Sequence, residues 1–162
     1  MTLTRREAED FLFLEAELLD DWLMEEWAAL YSEEAVYEVA SPSCEDPVNA
    51  DPANTLFLVA DRIGRIRGRA KRLLKPTAHA EFPRSKTRHM ISNIRVVESS
   101  EDRIRTRANF AVFRTKEDTS TIYMGEVHHT IVREGGSLRI LNKRCILDLN
   151  SLYNQGRLTI IL

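Results

Sequence analysis

Between Phe11 and Leu30 apolar residues recur every three or four positions. Phe11, Leu14, Leu18 and Trp22 form one row, and Leu12, Leu19, Leu23, Trp27 and Leu30 widen it. This stripe predicts one long amphipathic helix with a charged outer face. Thr4 followed by Glu7 has the spacing of a capping box, which places the helix start there. Next comes "AVYEVAS", whose alternation and β-branched residues read as a strand, and then the Pro/Asp/Asn-rich loop "PSCEDPVNADPAN". Leu56, Val59, Ala60, Ile63, Ile66, Ala70, Leu73 and Leu74 predict a second helix, with Gly64 and Gly68 inside it.

From about residue 87 the period changes from 3.6 to 2. "TRHMISNIRVVES", "RIRTRANFAVFRT", "STIYMGEVHHTIVRE" and "SLRILNKRCILDLN" read as strands, separated by the turn signals "SSED", "KEDTS" and "EGGS". Connections this short make consecutive strands antiparallel neighbours. Helices first and strands afterwards is an α+β order, with a bent sheet burying the apolar stripe of the first helix. The expected organisation is a single domain over 1–162, its helical part at about 4–75 and its sheet part at about 87–162.

Charge adds a second pattern. Glu7, Glu9, Asp10, Glu15, Glu17, Asp20, Asp21, Glu25 and Glu26 crowd the first helix, whereas "RIGRIRGRAKRLLK" (62–75) holds seven cations and no acid. One acidic and one basic surface mark a chain that assembles with itself or with a partner. The net charge of −2 and the lack of aromatic interleaving argue against nucleic acid. No apolar run reaches the roughly 18 residues of a membrane span. "MTLTRREAED" has no apolar export signal, so a cytoplasmic location with Cys44 and Cys145 as reduced thiols is expected.

Candidate chemistry is sparse. His128 and His129 are adjacent on a strand and therefore face opposite sides, with His129 the inward member. Cys145 falls on an apolar strand face, and His79 and His89 have no metal-ligand spacing. No catalytic, cofactor-binding or metal-binding residue is assigned. GxSxG, GxGxxG and P-loop patterns are absent. A curved sheet around a helix could still enclose a cavity, in which Asp61, Asp148 and His129 are the acid/base groups to test. Their plainer readings are an Asp61–Arg62 ion pair, a turn residue at Asp148 and a hydrogen-bonded core histidine.

The ordered set "EAELLDDWLMEEWAALYSEEAVYEV", "LFLVADRIGRIRGRAKRL", "PRSKTRHMISNIRVV", "RANFAVFRTKEDTSTIYMGEVHHTIVREGG" and "LRILNKRCILDLNSLYNQGRLTIIL" resembles the beta (small) subunit of Rieske non-haem iron aromatic-ring-hydroxylating dioxygenases. The resemblance implies a nuclear-transport-factor-2-like (cystatin-like) α+β cone. It implies a non-catalytic structural subunit in an alpha3beta3 hexamer that cis-dihydroxylates an aromatic compound. The Rieske [2Fe–2S] cluster and mononuclear Fe(II) would belong to the alpha partner, with electrons ultimately from NADH. The residues expected at interfaces are Trp22, Arg62, Arg65, Arg69, Arg84 and Arg88. The alternatives are a stand-alone lyase or isomerase, or a ligand-binding protein, of the same cavity fold.

Overall fold

Thr4 caps the first helix through its hydroxyl, which accepts from the Glu7 N–H at 3.2 Å, while Glu7 Oε2 accepts from the Thr4 N–H at 2.8 Å. Helix α1 then runs Arg5–Asp20 and buries Ala8, Phe11, Leu12, Glu15 and Leu19. The computed structural model describes residues 2–152 and 157–162, apart from the side chain of His79. Residues 153–156, inside the last of the resemblance segments, therefore lie outside the described residues.

The single long helix expected from the stripe is instead two helices. Trp22 adopts φ 58, in the left-handed region that a bulky residue rarely enters. Its indole offsets this strain by docking: the ring is buried, Nε1 donates to Ser85 O at 3.2 Å, and the Arg84 guanidinium lies 5.4 Å from the ring centroid. A short helix α2 follows at Met24–Ala28, with Met24 and Trp27 in the core. The apolar period survives the break because both helices turn the same kind of side chain inward. Periodicity alone therefore could not reveal it.

Strand β1 is Tyr31–Ala40. The second helix of the sequence reading also needs correction, because Phe57–Arg62 is strand β2 and only Ile63–Leu73 is helix α3. β2 pairs antiparallel with β1, Val59 opposite Val39 and Asp61 opposite Tyr37. A short apolar run suits either period, and the open edge of β1 decides between them. After a 3-10 turn at His79–Glu81 come β3 (Lys86–Ser99), β4 (Arg103–Lys116), β5 (Thr119–Glu134) and β6 (Ser137–Leu147). The turns fall where expected, with Gly135 (φ 56) and Gly136 (φ 81) supplying the left-handed pair of the last hairpin.

These strands form one six-stranded sheet in the order β2-β1-β6-β5-β4-β3. β1 runs parallel to β6, and the other pairs are antiparallel. The sheet thus joins strands from the largely helical first part to those of the second. Irregularities at Ser92/Arg95 and Thr130/Ile131 bend it around the helices. α1 packs on β3 at one edge, and α3 packs on β1 and β2 at the other. Trp27, Tyr37, Ile66, Tyr123, Ile131 and Ile140 lie at the centre of the core. Among the described residues no helix is long and apolar enough to cross a membrane.

Two glycines predict opposite responses. A Cβ on Gly125 would overlap the Ile146 carbonyl of the neighbouring strand, whereas one on Gly68 would meet nothing within 4 Å. Gly125→Ala is expected to cost about 2–3 kcal/mol by spreading β5 from β6. Gly68→Ala is expected to gain up to about 1 kcal/mol through helix propensity. Urea denaturation of the isolated chain checks both.

Candidate functional site

The chemistry-bearing residues of the interior gather around Glu15. α1 places this carboxylate on its buried face, in line with Phe11 and Leu19. Oε1 accepts from His129 Nε2 at 3.0 Å and from Lys143 Nζ at 3.1 Å. Oε2 accepts from Trp27 Nε1 at 3.0 Å and from the Tyr31 hydroxyl at 3.4 Å. Inward alternation on β5 and β6 supplies His129 and Lys143, with Cys145 two residues beyond Lys143 on the same face.

The electrostatics follow from that geometry. Burial works to raise the Glu15 carboxyl, but Lys143 and His129 outweigh it and hold it well below the usual carboxylate range. Burial lowers the His129 imidazole, and its bond to Glu15 only partly opposes this. A neutral ring donating from Nε2 satisfies Glu15. Burial also pushes the Cys145 thiol up to about 12, so it remains protonated and unreactive.

Two further carboxylates tie the last residues to this interior. Asp20 accepts from Thr87 Oγ1 at 3.0 Å and from the His89 N–H, and it contacts His89 Nδ1 at 2.5 Å. Burial opposes these bonds, yet they hold the Asp20 carboxyl below its ordinary value. His89 Nε2 lies 2.7 Å from Ile161 O, and Lys143 Nζ also donates to Leu162 O. Glu81 accepts from Arg114 Nε at 2.8 Å and from Thr159 Oγ1 at 2.6 Å. Ile160, Ile161 and Leu162 are consequently buried against the open end of the sheet.

The three acid/base candidates do not converge. His129 is in the cluster just described, and His128 faces the opposite side, bound to Glu126 at 2.6 Å. Asp61 is buried, but its partner is Arg69 at 2.7 Å rather than the adjacent Arg62. β2 ends at Arg62, and the first turns of α3 carry Arg69 back over Asp61. Asp148 is exposed and uses its N–H to bond Met124 O at 2.8 Å. The space bounded by Leu12, Glu15, Phe110, His129, Lys143 and Leu162 has room for about one water molecule. An aromatic ring does not fit it.

Among the described residues no group of three or more His, Cys, Asp or Glu side chains could hold a metal ion. Cys145 lies in the core and Cys44 in the β1–β2 loop. The two thiols and the described imidazoles therefore do not make the set of two cysteines and two histidines that a Rieske centre requires. Sequence reasoning overlooked Glu15 and Lys143, having assigned Glu15 to the acidic outer face. The available signal was Glu15 in register with Phe11 and Leu19, and Lys143 in register with Cys145 and Leu147.

Residues 14–154 match the family model described as ring hydroxylating beta subunit. The chain belongs to the ring-hydroxylating beta-subunit family. This beta subunit is 46% identical, over 99% of its length and 88% of the relative's, to the small oxygenase component of the p-cumate 2,3-dioxygenase system of Pseudomonas putida. It is 32% identical to the small subunit of 2-halobenzoate 1,2-dioxygenase from Burkholderia cepacia, over 90% of this chain and 88% of that one. A solved naphthalene 1,2-dioxygenase with indole bound superposes with a TM-score of 0.82 at 18% identity, covering 98% of this chain and 85% of that one. The beta subunit has the nuclear-transport-factor-2-like, cystatin-like fold, an α+β architecture of helices held in a curved mixed sheet.

The buried cluster generates two predictions. Lys143→Met leaves Glu15 without its cation and should cost about 3–5 kcal/mol. Glu15→Gln with Lys143→Met should cost less than the sum of the single changes, as a double-mutant cycle in urea would show. Acidification should also weaken the fold in two stages. Below the ordinary His value of 6.5, the unfolded chain takes up a proton at His129 that the folded chain refuses, so stability falls. Below the ordinary Glu value of 4.5, the unfolded chain likewise takes protons that folded Glu15 refuses, and stability falls again. His129→Gln should flatten the first stage, read as the slope of unfolding free energy between about pH 6.5 and 5.

Proposed function

We propose that this chain, one domain over 1–162, is the structural small subunit of an oxygenase that cis-dihydroxylates an aromatic carboxylate. The observation that carries the reading is the family match over residues 14–154. The carboxylate class rests on the relatives, whose names specify p-cumate and 2-halobenzoate. In this reading a large alpha subunit holds the Rieske cluster and the mononuclear iron, and electrons come ultimately from NADH. Three copies of each chain make an alpha3beta3 assembly in the cytoplasm.

The interior supports a scaffolding role. Its carboxylates are fully engaged by donors of the same chain, and its free space admits about one water molecule. Contacts with other chains are assigned to Arg62, Arg65, Arg84 and Arg88, all exposed, with Arg69 and Trp22 supporting them from below. Arg69 does so through Asp61, and Trp22 through its stack with Arg84.

Co-expression with the large oxygenase component of a ring-hydroxylating dioxygenase tests this. The two chains should co-purify and, with the electron-transfer proteins and NADH, convert p-cumate to a cis-diol or consume a 2-halobenzoate with release of halide and carbon dioxide. The small chain alone should convert neither substrate. Arg62→Ala, Arg65→Ala and Arg88→Ala together should lower recovery of the complex at least tenfold in size-exclusion chromatography. Turnover by the small chain alone, abolished by Asp61→Asn or His129→Ala, would overturn the reading.

A further inference from the structure

Two exposed helix faces carry charged groups with no partner among the described residues, and the faces match each other in charge. On α1, Asp10, Phe13, Leu14, Glu17 and the C-cap Asp21 follow at spacings of three and four and share one face. Phe13 is 48% exposed and Leu14 40%, an apolar centre bounded by carboxylates. On α3, Gly64, Arg65, Gly68, Arg69 and Arg72 share a face by the same spacing and line a groove floored by Leu58 and Val59. Asp10, Glu17, Arg65 and Arg72 make no side-chain hydrogen bond or ion pair among the described residues.

The groove contains two helix-weakening glycines that the chain itself does not use. A Cβ on Gly64 or Gly68 would meet nothing within 4 Å, and neither residue has a positive φ. Absent side chains do, however, allow another helix to approach the axis of α3 closely. The sheet order sets the two faces apart, with α1 against β3 at one edge and α3 against β2 and β1 at the other.

We infer that the groove of α3 receives the acidic α1 ridge of a second copy of this chain. Arg65 and Arg72 meet Asp10, Glu17 and Asp21, and Phe13 and Leu14 lie over Gly64 and Gly68. Because the donor and acceptor faces differ, the contact is heterologous: each copy offers α1 to one neighbour and α3 to the other, the kind of contact from which a closed ring can be built. Opposite charge favours α1 on α3, and like charge rejects α1 on α1 and α3 on α3. The inference rests on the proposed function and assigns the small-to-small contact within that assembly.

Charge exchange tests it in the complex co-expressed with the large component, with copy number read by native mass spectrometry and folding by circular dichroism. Arg65→Glu with Arg72→Glu, and separately Asp10→Lys with Glu17→Lys, should each weaken contact between small subunits at least tenfold. All four changes together should restore it. Gly68→Leu fills the groove without touching any charge and should likewise separate the copies while the chain stays folded. Unchanged copy number in either charge pair, or failure of the fourfold variant to recover, overturns the inference. A wild-type complex with a single small subunit overturns it together with the three-copy stoichiometry, while leaving the role as small oxygenase subunit standing. Absence of any complex removes the proposed function itself.

Discussion

The Glu15 carboxylate sits inside the cone, 4% exposed, and every element around it is constrained by the need to satisfy it. Its four donors come from α2, β1, β5 and β6, so one side chain of α1 fixes the distance and rotation of four other elements. An isolated buried carboxylate would cost far more than a small domain's net stability. Alternative packings of α1, with its stripe rotated by one residue, would leave that charge unpaired. Hydrophobic burial favours many orientations of the helix, whereas the carboxylate accepts one. In this fold the cluster supplies register more than net stability, consistent with how little buried pairs gain over apolar packing.

The same cluster decides what the interior cannot do. Lys143 bridges Glu15 and Leu162, His89 bridges Asp20 and Ile161, and Thr159 reaches Glu81. Three polar ties thus draw residues 159–162 over the open end, and the apolar Ile160, Ile161 and Leu162 fill what remains. A curved sheet wrapped on a helix can enclose a ligand, but here the protein's own chain occupies that space. On the outside, the chain carries segregated charge and exposed apolar residues. Membership of the ring-hydroxylating beta-subunit family agrees with a role exercised through surfaces.

Much of this architecture is legible in the residues. The capping box at Thr4, the four period-2 segments and the Gly135-Gly136 turn all depend on interactions within a few residues, so local pattern reports them. The opposite orientations of His128 and His129 follow from strand geometry alone. The break at Trp22 and the strand at Phe57–Arg62 are different, because each is decided by a partner distant in sequence: Ser85 in one case and β1 in the other. Asp61 shows the same limit on a smaller scale. Its sequence neighbour Arg62 is the obvious partner, yet the fold presents Arg69 instead.

By itself, then, the sequence determined most of the element types, the inward faces of the strands, the charge segregation and, through resemblance, the family. Those features are set by short-range periodicity and by the order of motifs along the chain. Tertiary structure alone decided that Glu15 and Lys143 form a pair, that residues 159–162 pack into the interior, and that the acidic and basic helices stand at opposite edges of the sheet. The physical reason is that burial and strand order are properties of the assembled sheet. A charge on a helix reads as solvent-facing until the surrounding strands show that it points inward.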